Sequence, residues 1–145
     1  MTGDTQRETI LVVDDNACIC DFVKNYLESA GYTVITASDG EEGLRVFEKY
    51  RSSIRLLITD VLMPKINGFE LVDYLLGVDP QLRILFMSGD VWYGYRGLEC
   101  VLKPFRLSEL GEIVHRVLSA NTYPESQTIS RHSTNWAAST LKAFT

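Results

Sequence analysis

The sequence predicts an α/β protein in which helices cover both faces of a five-stranded parallel sheet, a doubly wound arrangement. Two observations carry that reading. Five short apolar runs recur through the first hundred or so residues, and amphipathic stretches lie between and after them. Three of the runs are continuous rather than alternating, as strands covered on both faces require. An alternation of strand and helix then closes as a parallel sheet with right-handed crossovers.

The runs are Ile10–Val13, Thr33–Ala37, Leu56–Thr59, Ile84–Met87 and Cys100–Leu102, of which the first, third and fourth are continuous. Ile19, Val23, Tyr26, Leu27 and Ala30 share one face of a helix that ends at Gly31, a good C-terminal stop. Asp39-Gly40-Glu41-Glu42 reads as a helix start, with an acid at the cap and Glu three residues later. Leu44, Val46 and Phe47 give that helix its buried side, and Phe69, Val72, Leu75 and Leu76 do the same ahead of Gly77 and Pro80. Leu110, Ile113, Val114, Val117 and Leu118 repeat at helical spacing in a last helix. The segment from Gly89 to Glu99 is different, because Gly94 and Gly97 interrupt it. Each costs about 1 kcal/mol relative to Ala in a helix interior, so a short or irregular fourth helix is expected there.

A length of 145 residues suits one domain with short extensions. With 46% hydrophobic and 23% charged residues, such a domain builds its core without disulfides or metals. The net charge of −5 weighs against a nucleic-acid-binding face, which needs a basic surface. Cys18, Cys20 and Cys100 are an odd count without a secretory signal, so no disulfide framework is expected. No apolar run nears the roughly 18 residues that cross a bilayer. A cytoplasmic protein without a membrane partner is the expectation. Residues 1–8 read as an extension and 9–121 as the domain. Residues 122–145, with nine Ser or Thr, read as a polar tail or linker without an output domain. Its one apolar feature is Trp136, Leu141 and Phe144, a stripe too short to hold a helix alone.

Ligands of an open parallel sheet bind beyond the carboxyl ends of its strands. Those ends carry Asp14-Asp15, Asp60, Ser88 and Lys103. Two carboxylates about 4 Å apart repel by roughly 4 kcal/mol at an effective dielectric of about 20. Three such groups protonate or recruit a cation, and Mg²⁺ suits one or two carboxylates, waters and phosphate oxygens. A carboxylate is also a nucleophile that forms an acyl phosphate. Positive charge from a metal and Lys103 offsets the peripheral oxygens during transfer, and Ser88 donates a hydrogen bond to one of them. The parts make a phosphoryl-acceptor site.

Four motifs carry a resemblance: VVDDN (Val12–Asn16), ITDVLMPKINGFEL (Ile58–Leu71), FMSGD (Phe86–Asp90) and LKPF (Leu102–Phe105). Each alone is weak; together, in this order at successive strand ends, they are strong. From about Glu8 to Asn121 the chain resembles the receiver domains of two-component response regulators, in the manner of chemotaxis regulators and of receivers attached to hybrid histidine kinases. The resemblance implies a flavodoxin-like sheet of order 2-1-3-4-5 and phosphorylation of Asp60. It implies Mg²⁺ or Mn²⁺ held by Asp14, Asp15, Asp60 and the backbone carbonyl of Leu62, with Asp14 acting mainly through water. Ser88 and Lys103 would bind phosphoryl oxygens, Lys103–Pro104 would be a cis peptide, and Gly68 matches the glycine after the acceptor loop. The implied partners are a histidine kinase or histidine phosphotransfer protein and an unnamed downstream protein, with room for a weak or phosphorylation-dependent homodimer.

Two departures stand out. Receivers commonly carry Tyr, Phe or His three residues before the lysine, where this chain has Cys100. The glycine-interrupted segment belongs, in the family, to the output face, so Trp92, Tyr93, Tyr95 and Cys100 are expected there. The three aromatics alternatively fill the core. Cys18 and Cys20 point to nearly opposite sides of a helix and read as packing residues rather than ligands. His115 reads as surface, and His132 lies in the tail. A haloacid-dehalogenase-type phosphatase would carry an acid where Leu62 stands. A degenerate receiver, kept only for protein binding, would lack the acceptor, the acidic pair or the lysine, and all are present.

Overall fold

The computed structural model describes residues 7–120; the tail with Trp136, Leu141, Phe144 and His132, and residues 1–6, lie outside them. In chain order the elements are β1 (Thr9–Val13), α1 (Ala17–Ser29), β2 (Thr33–Ala37), α2 (Gly40–Tyr50) and β3 (Ile54–Asp60), then α3 (Gly68–Val78), β4 (Arg83–Ser88), β5 (Glu99–Leu102) and α4 (Leu107–Ser119). All strand pairs are parallel, in the order β2-β1-β3-β4-β5 anticipated above. The chain leaves β1 toward one sheet edge and later crosses back to the other. This reversal opens a crevice beyond the carboxyl ends of β1 and β3.

Successive side chains of a strand point to opposite faces, and here both faces are covered. On one face Ile10, Val12, Ile58 and Leu85 meet Val23 and Leu27 of α1 and Leu110 and Val114 of α4. On the other, Leu11, Val13, Leu57 and Phe86 meet Phe47 of α2 and Leu71 and Leu75 of α3. That is why the three central runs are apolar without alternation. No helix among the described residues is long and apolar enough to cross a membrane.

Short polar side chains start α1, α2 and α3. Asn16 Oδ1 accepts from the Cys18 and Ile19 N–H groups, and Asp39 Oδ1 from the Glu42 N–H at 2.8 Å. Asn67 and Glu70 form a reciprocal capping box at α3. After α1 the chain turns through Gly31 at φ 106°, a left-handed value that glycine takes without steric cost. Gly77 does not stop α3, which continues to Val78.

The expected fourth helix does not form. Residues 89–98 run from β4 to β5 without a helical turn, so the described residues hold four helices. The cause is backbone geometry: Gly94, Arg96 and Gly97 take φ values of 97°, 56° and 71°. Three left-handed residues in four cannot sit in a right-handed helix.

The capping box fixes the N-terminus of α3 beside the loop that leaves β3. Asn67→Ala is expected to lower unfolding stability by about 1 kcal/mol, and Asn67→Gly by only a few tenths, read as urea midpoints.

Candidate functional site

β1 delivers Asp14 and Asp15 to the crevice, β3 ends on Asp60, and Lys103 follows β5. Asp14 and Asp60 are buried, whereas Asp15 is exposed. One carboxylate oxygen from each lies within 4.8 Å of the others. Backbone N–H groups orient two of them: Asn16 donates to Asp14 Oδ1 at 2.8 Å and Val61 to Asp60 Oδ1 at 2.9 Å. Lys103 Nζ stands 2.8 Å from Asp14 Oδ2 and 3.4 Å from Asp60 Oδ1. Its own backbone N–H donates to the Ser88 carbonyl at 2.7 Å, and the Lys103–Pro104 peptide is cis.

Three carboxylates face one ammonium, and the imbalance bears on Asp60 and Lys103. Burial first, then the charge of Asp14, lift the Asp60 carboxyl above its ordinary value; Lys103 offsets only part of this. Burial works against the charge on Lys103. The hydrogen bond to Asp14 and the charges of Asp14 and Asp60 outweigh it, so the ammonium is held more firmly than usual. Hard oxygen donors, surplus negative charge and one solvent-facing carboxylate fit a hard divalent cation. Leu62, two residues past Asp60, is exposed.

Gly68 is required by close approach. Its N–H donates to the Val61 carbonyl at 2.8 Å, and a Cβ there would lie 2.2 Å from the Asp60 carbonyl oxygen. The glycine lets α3 begin directly under the end of β3, which fixes the backbone that carries the Asp60 carboxylate.

Ser88 is buried at the end of β4, and its hydroxyl is engaged with the following loop. Oγ donates to the Asp90 carbonyl at 3.2 Å and accepts the Asp90 N–H at 3.1 Å. The aromatic residues divide. Trp92 packs on Phe86 at 5.2 Å between ring centroids, Tyr95 stacks on Phe69 at 4.2 Å, and Tyr93 is exposed. Cys100 is half-buried in the same cluster, and burial pushes its thiol up to about 12. Cys18 is exposed rather than packed. Cys20 is buried, its Sγ donating to the Asp14 carbonyl at 3.3 Å. His115 is exposed. The sequence reading missed Asp73 of α3, which accepts the Tyr95 hydroxyl at 2.6 Å and the Arg96 guanidinium at 2.9 Å. An acid on a helix surface gives no sequence signal of a partner 22 residues away.

A family model described as the response regulator receiver domain matches residues 10–115. The chain is 40% identical over 121 residues to the probable transcriptional regulator ycf27 of Pyropia yezoensis, covering 79% of this chain and 49% of that protein. It spans about half the length of the curated relatives it matches. Among solved structures it is similar to the chemotaxis protein CheY4 of Vibrio cholerae, at TM-score 0.71 and 30% identity over 77% of this chain and 99% of that one. The receiver domain of the hybrid histidine kinase CckA is similar at TM-score 0.69 and 34% identity, again covering 77% and 99%.

A carboxyl whose folded value lies above its unfolded value destabilises the fold when ionised. For Asp60 the sign already includes the attraction of Lys103, so the penalty is full above the folded value. It fades as pH falls through the folded value and is gone below the ordinary 3.8. Asp60→Asn is therefore expected to raise the urea midpoint at pH 7.5 in metal-free buffer, with a gain that shrinks toward pH 4. A gain that grows on acidification contradicts this account.

Proposed function

The chain belongs to the response regulator receiver domain family, and from that premise we propose that it is a phosphorylation-activated cytoplasmic switch whose acceptor is Asp60. The donor is a phosphohistidine on a histidine kinase or histidine phosphotransfer protein, and the signal leaves by protein docking or phosphoryl relay. Receiver domains are signalling domains rather than general enzymes. Residues 9–121 are the proposed receiver unit.

The observation that carries the reading is the crowding of three carboxylate oxygens within 4.8 Å beside a lysine ammonium 3.4 Å from Asp60. Asp60 Oδ1 accepts the Val61 N–H, which leaves Oδ2 as the oxygen to attack phosphorus. The new O–P bond forms as the N–P bond to the donor imidazole breaks, and the imidazole nitrogen departs with the electron pair. Lys103 turns from Asp14 toward a phosphoryl oxygen and remains charged as it does so. The Ser88 hydroxyl withdraws its proton from the Asp90 carbonyl and donates it to a second phosphoryl oxygen. Asp14, Asp15, Asp60 and the Leu62 carbonyl would hold Mg²⁺ or Mn²⁺, whose charge offsets that on the transferring group.

Incubation with acetyl phosphate and Mg²⁺ is expected to add one phosphoryl group to the chain, and none to Asp60→Asn, by intact mass. Uptake that persists in Asp60→Asn assigns the acceptor elsewhere; no uptake by the parent chain favours a receiver that only binds proteins.

The metal gives a second measurement. A ligand that binds only the folded state at ten times its Kd stabilises by about 1.4 kcal/mol. Mg²⁺ at that excess is expected to raise the thermal midpoint accordingly, and Asp15→Ala to abolish the increase. An unchanged Mg²⁺ response in Asp15→Ala removes Asp15 from the ligand set.

A further inference from the structure

Residues 89–98 link β4 to β5 without a helix, and side chains tie them down at both ends. At the near end the Ser88 hydroxyl bonds the Asp90 backbone twice. At the far end Asp73, on α3, accepts both the Tyr95 hydroxyl at 2.6 Å and the Arg96 guanidinium at 2.9 Å. Between the ties Trp92 and Tyr95 rest on Phe69 and Phe86. The far tie holds strained backbone. Arg96 sits at φ 56° between two left-handed glycines, a conformation that costs a residue with a side chain. The Tyr95 hydroxyl is a dependable donor: burial, then the bond to Asp73, push it up to about 12.

A serine hydroxyl has one proton to give. Given to a phosphoryl oxygen on Asp60, it is lost to the Asp90 carbonyl, and the near tie keeps only the bond that Oγ accepts from the Asp90 N–H. The segment then shifts only as far as the far tie allows. Building on the phosphoacceptor role argued above, we propose that Asp73, Tyr95 and Arg96 form a latch that holds residues 89–98 in the resting arrangement and so sets how readily the switch turns over. Asp73 is a positioning residue in this scheme, touching neither Asp60 nor a phosphoryl group. Thermodynamically, the latch keeps the competent form a minor fraction, and the apparent affinity for an acyl-phosphate mimic falls by that fraction. Loosening the latch raises the fraction. Losing one such hydrogen bond corresponds to roughly threefold to tenfold in that equilibrium.

The test is a beryllofluoride titration with Mg²⁺ on the full chain, in a Trp136→Phe background that leaves Trp92 as the sole indole. Tyr95→Phe, which keeps the ring on Phe69, and Asp73→Ala are each expected to bind roughly threefold to tenfold more tightly than the parent. Both are also expected to move the unliganded Trp92 emission part of the way toward that of the bound parent. Tyr74→Phe, exposed one position along α3, leaves affinity and emission unchanged. Urea midpoints confirm that each variant is folded, and Tyr95→Phe guards against a folding defect in Asp73→Ala. If the parent binds beryllofluoride and both latch variants bind it equally well, the latch is overturned while the phosphoacceptor reading stands. An equal gain in Tyr74→Phe overturns it too. A parent that does not respond, or Asp60→Asn that binds as well as the parent, brings down both.

Discussion

Two buried carboxylates and an exposed third, gathered at the end of one sheet, repel each other, and Lys103 reaches across to offset part of that repulsion. Its ammonium lies closer to Asp14 than to Asp60, at 2.8 Å against 3.4 Å. The difference matters. Asp14 is the more deeply buried acid, so the lysine is spent mainly on the group that most needs a partner. Asp60 is left under-compensated, with its carboxyl lifted by burial and by Asp14. The rim thus keeps the Asp60 carboxylate beside a lysine ammonium, at a cost in stability that a proton or a cation relieves.

Much of this rim was legible in the sequence, because parallel sheets make it so. Strands buried on both faces read as unbroken apolar runs, and the first polar residue after each run marks where it leaves the core. Asp14, Asp60 and Ser88 each stand at such a boundary, and reading them off in order placed them on one rim before any coordinates. Helix starts were legible for a similar reason: Asp39 announces itself by chemistry local to four residues. Gly68 was singled out by resemblance alone. Its physical reason, a missing Cβ that would lie 2.2 Å from the Asp60 carbonyl, depends on a packing distance that no local pattern records.

What the sequence concealed lies between β4 and β5. Gly94 and Gly97 argued correctly against a long helix, yet the residue that completes the left-handed turn is Arg96, and nothing local requires it there. Its conformation is stabilised from outside the segment, by an acid on α3. The same holds for Trp92 and Tyr95, which were readable equally as core or contact surface. Their rings find Phe69 on α3 and Phe86 on β4, residues that belong to other periodic patterns. Tertiary contacts decided the segment, and tertiary contacts are what a one-dimensional pattern omits.

These two regions differ in kind. The rim is held by backbone: strand ends, N–H groups on Asp14 and Asp60, and a glycine contact that admits no side chain. Such a frame changes little when charge at its centre changes, since each element is anchored in the core. The 89–98 segment is held by side chains at two points, one of them the Ser88 hydroxyl on the rim itself. In the proposed switch, that shared hydroxyl is the point at which the frame meets the tethered segment. Cys100 fits this division. Its thiol is half-buried, is pushed up to about 12 by burial, and has neither charge nor ring with which to carry motion elsewhere. The covalent path from Ser88 into residues 89–98 is then, in the proposed switch, the route by which a change at the rim leaves the sheet.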